Sequence, residues 1–228
     1  MTLTYIIPVF NERRTVKKSI EEIIELPQDK EIIIIDNGSD DGSQEIINEF
    51  SNIENIKIII KEKNLGFGDS IQKGFDSAKG TYIYIQYSDL EYDHLSSVKM
   101  YDLAIKNNYD VIFGSRLLNK NHLLRLLVNK PSYLATVICT FLINVFYKKN
   151  LTDIIGTKLY KKDIVKSILP KTKGPGFDFE LVSLICKKKL LIKEIFVDYT
   201  PRERSEEKKI KFYHMFNALY EIFKVKFF

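Results

Sequence analysis

Two hydrophobic periods alternate along the first 115 residues. Leu3–Val9, Glu31–Asp36, Ile56–Lys61, Thr81–Tyr87 and Asp110–Gly114 are short runs rich in β-branched and aromatic residues, which predict strands buried on both faces. Between them, Glu12–Leu26, Gly42–Phe50 and Phe67–Lys79 repeat their apolar residues at three- and four-residue spacing. Ile20, Ile23 and Ile24 form one helix face, and Ile46, Ile47 and Phe50 another. This alternation predicts an α/β fold built on a mostly parallel sheet with right-handed crossovers.

Ligands of such sheets bind at the carboxyl ends of the strands. Here those ends read Pro8-Val9-Phe10-Asn11-Glu12, Asp36-Asn37-Gly38-Ser39-Asp40-Asp41-Gly42-Ser43 and Tyr87-Ser88-Asp89-Leu90-Glu91. All are polar and acidic, so one site is expected there. Asp36 ends a run of four isoleucines and is placed to hydrogen-bond a base or ribose. Asp41 fits better as a helix cap. Asn64-Leu65-Gly66-Phe67-Gly68 precedes a predicted helix, and glycines there allow either a plain tight turn or phosphate held at the helix N-terminus. Asp89 and Glu91, with Asp93 close by, offer the hard oxygens that Mg²⁺ or Mn²⁺ takes when a diphosphate completes the shell, or else form a solvated acidic loop.

Composition narrows the partners only a little. The chain has 228 residues, 45% of them hydrophobic, and a net charge of +5, which suits anionic ligands without choosing among them. The basic residues are dispersed, which argues against nucleic acid. Cys139 and Cys186 read as buried thiols of a reducing compartment, and the three histidines have no ligand spacing. Met1–Val9 carries no leader pattern. Ser132–Tyr147 is the most apolar segment but falls short of the ~20 residues that a spanning helix needs. From Lys211 to Phe228, aromatic residues interleave with polar ones and Lys224 and Lys226 flank the end, a pattern for a helix lying on an anionic membrane or packing against another helix.

Taken together, the motifs resemble those of the family 2 glycosyltransferases, and most closely the enzymes that glycosylate polyprenyl or dolichyl phosphates. Ile6–Glu12 resembles the family's first nucleotide-binding motif, and Ile35–Ser43 its VDDGSxDG motif with Asn37 in place of the second Asp. Asn64-Leu65-Gly66 with Gly74, Ala78 and Gly80 resembles the next helix. Tyr87-Ser88-Asp89-Leu90-Glu91 resembles the Asp-x-Asp metal motif, with Tyr87 replacing the first Asp. Asp110–Arg116, Leu151-Thr152-Asp153 with Lys158, Gly176–Leu181, and Tyr199–Arg202 with Lys208 and Lys209 resemble the blocks that follow. Glu207 stands where the family more often has glycine.

The resemblance implies a GT-A fold, a Rossmann-like sheet flanked by helices with amphipathic helices at its C-terminus. It implies residues 1–115 as the nucleotide-sugar half, 116–200 as the acceptor half, and 201–228 as a basic loop and surface helix. Pro8, Phe10, Glu12, Asp36, Asn37, Asn64 and Gly66 would bind the nucleotide; Asp89 and Glu91 would hold Mg²⁺ or Mn²⁺. Glu180 is the candidate general base and Asp178 a residue that positions the sugar, although an anionic phosphate acceptor needs no base. Arg116, Arg202, Lys208 and Lys209 would grip phosphate. The implied activity is inverting, metal-dependent transfer from a UDP- or GDP-sugar to a polyprenyl phosphate. A glycan hydroxyl as acceptor and a non-catalytic nucleotide-sugar-binding protein are the rival readings. A cytoplasmic protein peripheral on the membrane face, with a homodimer allowed, completes the expectation.

Overall fold

The computed structural model describes residues 2–119, 132–168, 170–202 and 214–228. Lys208 and Lys209 lie outside the described residues. Seven strands form one sheet: β1 Leu3–Val9, β2 Lys30–Asp36, β3 Ile56–Ile60, β4 Tyr82–Ile85, β5 Val111–Ser115, β6 Lys158–Lys161 and β7 Ile192–Phe196, in the order β3-β2-β1-β4-β6-β5-β7. All neighbours are parallel except β6, which runs antiparallel to both β4 and β5. The described helices are α1 Val16–Ile24, α2 Ser43–Asn48, α3 Phe67–Ser77, α4 Leu95–Asn107, α5 Ser132–Tyr147, α6 Lys162–Ser167, α7 Phe177–Lys187 and α8 His214–Phe227.

The two-faced strands explain the layering. Tyr5, Ile7, Ile32 and Ile34 point to one core, where α1, α2 and α4 contribute Ile20, Ile47 and Met100. Ile6, Ile33 and Ile35 point to a second core, filled from α3, α5, α7 and α8 by Ile71, Ile143, Leu181 and Ile222. Side chains on a strand alternate faces, so an isoleucine run with no polar position is what a doubly covered strand requires. Gly74 permits the tightest helix–sheet contact, since a Cβ there would stand 2.6 Å from Ile6.

Register brings the loops together. Val9 lies opposite Asp36 and Ile6 opposite Ile85, so the chain leaves β1, β2 and β4 at one edge. The five strands expected in the first half are present. β4 stops at Ile85 rather than Tyr87, and α1 begins at Val16 rather than Glu12 because Asn11 takes a left-handed φ of 56°. β6 and β7 were not anticipated: β6 has four residues and lysine at each end, and β7 carries Lys193 and Glu194. α4 was also missed; its buried positions include Ser96, Ser97 and Ala104, a weak apolar signal.

Candidate functional site

The loop after β2 is held from within. Gly38 and Ser39 N–H donate to Asp36 Oδ2 at 3.0 Å each, and Gln44 Nε2 donates to the same oxygen at 2.8 Å. Asp36 is fully buried, so this oxygen builds the loop and does not face a ligand. Its other oxygen, Oδ1, is buried without a hydrogen-bond partner and retains the capacity to accept one bond. Asp41 accepts N–H bonds from Ser43 and Arg13, the loop-building role expected of it.

Asn37 joins two loops through both ends of its amide. Its Oδ1 accepts from Lys61 Nζ at 2.6 Å and Leu65 N at 3.2 Å, while its Nδ2 donates to Asn64 Oδ1 at 2.7 Å. An aspartate would lose that last donor, which gives asparagine a physical reason here. Asn64 Oδ1 also accepts Gly66 N–H at 2.8 Å. Gly66 has φ +99°, and a Cβ there would meet Lys173 O at 2.3 Å, so no other residue fits. Below this turn Asp69 bridges Lys61 and Lys173, each at 2.8 Å. Burial pushes the Asp69 carboxyl up, but these lysine bonds win and hold it below its ordinary value.

At the β1 end, Pro8 O accepts the Ser88 hydroxyl at 3.1 Å, tying that loop to the acidic one. Phe10 is half-buried beside it. Glu12 Oε2 accepts from Arg202 Nη2 at 2.6 Å and from Thr15 at 3.1 Å. Arg202 Nη2 also stands 3.9 Å from Asp89 Oδ2. Glu12, Asp89 and Arg202 therefore meet although they are widely separated in sequence.

Glu91 is placed differently from expectation. It is buried, its Oε2 accepts the Tyr199 hydroxyl at 2.7 Å, and its Oε1 accepts Arg202 N–H at 3.1 Å. The carboxylate fastens the 199–202 segment in place of facing the opening. Among the described residues no group of three or more His, Cys, Asp or Glu side chains can hold a metal ion. Asp89 is partly exposed and could take a cation, which would need ligand phosphate oxygens to complete its shell.

Tyr87 is not a freely accessible strand end. Its ring stacks between Phe67, at 5.8 Å and 7°, and Tyr92, at 5.6 Å and 27°. Burial, with Asp178 nearby, pushes its phenol well above the ordinary tyrosine value. The position thus presents a neutral ring wedged between both cores.

Arg116 and Glu180 make their contacts within the protein. Arg116 is buried, paired with Asp153 through Nε–Oδ2 at 2.6 Å and Nη2–Oδ1 at 3.0 Å. Its guanidinium lies 5.1 Å from the Tyr133 ring centre and 5.2 Å from that of Tyr199. Its guanidinium is thus engaged by Asp153 and two rings inside the protein. Burial pushes Asp153 up, but Arg116 beside it prevails and keeps the carboxyl below its ordinary value. Glu180 is buried in the first turn of α7, where its Oε2 accepts Lys171 N–H at 2.9 Å and Thr172 N–H at 2.7 Å. It fastens the loop ahead of its own helix. Asp178 is the acidic residue of that turn that stays partly exposed, and it pairs with buried Lys158 at 3.3 Å.

Two outcomes follow. Tyr87→Asp should cost ~2–4 kcal/mol, as loss of a packed aromatic together with a carboxylate placed among rings does. Tyr87→Phe should stay within ~1 kcal/mol of wild type. Urea midpoints read both, and a fully stable Tyr87→Asp would contradict the stacked placement. Asp153→Asn strands a buried cation and should lose ~3–5 kcal/mol at pH 7. Because the folded Asp153 carboxyl lies below its unfolded value, its contribution is complete above about pH 4 and is lost as pH falls through the folded value. The gap between the two proteins should therefore narrow in acid; an equal gap at pH 7 and pH 3 would refute the pairing.

Known proteins match this arrangement in sequence and in fold. A low-salt glycan biosynthesis hexosyltransferase of Haloferax volcanii is 26% identical over 206 residues, covering 89% of this chain and 48% of that protein. A dolichyl-phosphate β-glucosyltransferase of Trichomonas vaginalis is 26% identical over 230 residues, covering 90% of this chain and 68% of that protein. The chain thus spans about half the length of the hexosyltransferase. Glucosyl-3-phosphoglycerate synthase of Mycobacterium tuberculosis, solved with Mn²⁺, UDP and phosphoglyceric acid, superposes with a TM-score of 0.73 at 14% identity, covering 99% of this chain and 78% of that one. Its fold is the GT-A fold expected from the sequence, α/β with a mostly parallel sheet. The family described as "Glycosyl transferase family 2" matches residues 4–169, well over half of the chain, and the chain belongs to this family of glycosyltransferases.

Proposed function

We propose that this glycosyltransferase moves a sugar from a UDP- or GDP-sugar to a polyprenyl-type lipid phosphate, with inversion at the anomeric carbon. The observation that carries the acceptor is the state of its acidic residues. Glu180 is buried under two N–H bonds and Asp178 is paired with Lys158, so neither is poised to take a proton from a hydroxyl. A phosphate oxygen is already anionic and needs no base. The dolichyl-phosphate relative supports the same acceptor class, and the structure solved with UDP and Mn²⁺ supports the donor class. A glycan hydroxyl is the second reading, favoured by the glycan biosynthesis hexosyltransferase.

In this reading the nucleoside lies over Pro8 and Phe10, against the loops that Asp36, Asn37, Asn64 and Gly66 build. A divalent cation, Mg²⁺ or Mn²⁺, would be held by Asp89 and would offset charge on the leaving diphosphate. Arg202 faces the same place: Glu12 and Asp89 aim its guanidinium, while Glu91 holds its backbone. Such a fixed cation stabilises charge that grows as the bond from the anomeric carbon to the diphosphate breaks. The acceptor oxygen forms the new bond from the opposite side, and the nucleoside diphosphate leaves. Lys158 orients Asp178 next to the reacting sugar.

Calorimetry with UDP and GDP, each with and without Mn²⁺, tests the donor half. Mn²⁺ should tighten binding, and Asp89→Ala should remove ~1–3 kcal/mol of affinity only when the metal is present. Arg202→Gln should weaken binding on a similar scale in both conditions. No tightening by Mn²⁺, or equal affinity in Asp89→Ala with the metal present, would sink the metal role. Failure of both nucleotides to bind would sink the donor.

A further inference from the structure

Two helices outside the site carry outward apolar stripes. On α5, Leu134, Ile138, Phe141 and Val145 are exposed while Cys139 and Ile143 on the other side are fully buried. On α8, Phe216, Tyr220, Phe223 and Phe227 are exposed while Ala218 and Ile222 are buried. The stripes meet at Phe146, whose ring contacts Phe223 at 5.3 Å and Phe227 at 6.0 Å. Packing of the helices on each other, the obvious use for apolar faces, therefore leaves a second set of large residues in the open. Contiguous exposed patches of this kind mark interaction surfaces.

Charge says what the surface fits. α5, α7 and α8 end together: Lys187 Nζ reaches Val225 O at 2.9 Å, and Lys226 Nζ reaches Phe146 O at 2.8 Å. Lys148 and Lys149 follow α5, Lys188 and Lys189 follow α7, and Lys226 lies on α8. None of these five lysines has an ion-pair partner among the described residues; Lys224 is paired with Glu221. An apolar stripe bordered by unneutralised lysines matches an anionic bilayer, whose headgroups take the lysines while the aromatic rings enter the acyl boundary. A second copy of this chain would have to place that positive cluster against an identical one or leave it unused. No described helix is long and apolar enough to cross a membrane, so the helices would lie along the surface.

We propose that α5 and α8 form one platform that docks the protein lengthwise on an anionic membrane. All three helices begin near the site: Tyr133 packs against Tyr199 and Arg116, Phe177 contacts Phe67, and Gly176 lies against Asn217 and Glu221 of α8. Helix α5 runs about 24 Å from there to the lysines. Docking along it brings the site to the headgroup layer. The inference deepens the lipid-phosphate reading and names how that acceptor would be met.

The test is sedimentation of the full chain with vesicles of phosphatidylcholine, with or without about a third phosphatidylserine. The protein should pellet with the anionic vesicles at least about tenfold better than with the neutral ones, and added salt should release it. Phe141→Ser with Phe227→Ser, and separately Lys148→Gln with Lys189→Gln, should each lower binding about tenfold. All four positions are exposed or at the surface, and an unchanged thermal melt verifies folding. No binding, or equal binding to both vesicles, overturns the proposal. So does a dimer in sedimentation velocity that the Phe141→Ser, Phe227→Ser variant abolishes, since a second copy would then own the face. Vesicle binding without any sugar transfer to lipid phosphate supports the platform and removes the acceptor reading; transfer to detergent-dissolved lipid without vesicle binding does the reverse.

Discussion

The buried pair of Arg116 and Asp153 is the interaction on which the second half of the molecule depends. Arg116 leaves the end of β5, and Asp153 comes from the loop ahead of β6, where Glu194 of β7 holds it by accepting the Thr152 and Asp153 N–H groups at 2.9 and 3.0 Å. Taking two charges out of water costs several kcal/mol, and only good geometry with further partners repays it. Here the geometry is two-pronged, and rings on either side add cation–π attraction. One ring is Tyr133 at the start of α5; the other is Tyr199, whose hydroxyl is fixed by Glu91. Through Tyr199 the pair sets the path of the chain to Arg202, and so the position of the cation beside Asp89 and Glu12.

That dependence explains the aromatic residue in the acidic loop. Tyr87, Tyr92 and Tyr199 form a continuous row of rings from Phe67 to the Arg116 pocket, with Tyr92 and Tyr199 at 5.0 Å. A carboxylate at position 87 would interrupt this row and place a charge among rings. The protein therefore combines a partly exposed carboxylate, Asp89, with an arginine held by acids on two sides. A metal ion in such a place would be shared with the ligand and would not be a fixture of the protein alone. The same economy shows in α7, where Glu180 is spent on the loop before the helix and Asp178 on Lys158.

How much of this the sequence discloses follows from the distance over which each signal acts. Isoleucine runs and helical spacing are local, so the five first-half strands, the parallel sheet and the edge where the loops gather are legible. The motif order also identifies the family. Short β6 and β7 are less legible: interior β6 has four residues with lysine at each end, Lys158 being buried, and edge strand β7 carries Lys193 and Glu194. Roles within the site are least legible. Whether Glu91 meets a metal or Tyr199 is decided 108 residues away, and whether Arg116 meets phosphate or Asp153 is decided 37 residues away. Lys61, bridging Asn37 and Asp69, carries no motif at all and is found only through its partners.

The acceptor is the centre of the account, because burial of Glu180 and pairing of Asp178 leave no ready base in the first turn of α7. The direct measurement offers the protein a labelled UDP- or GDP-sugar with a short polyprenyl phosphate, and in parallel the matching polyprenol and a glycan with free hydroxyls. Label extracted with the lipid is followed together with release of the nucleoside diphosphate. The account predicts transfer to the phosphate, equimolar with the released nucleotide, and none to the polyprenol. Transfer to the polyprenol or the glycan with none to the phosphate would contradict it.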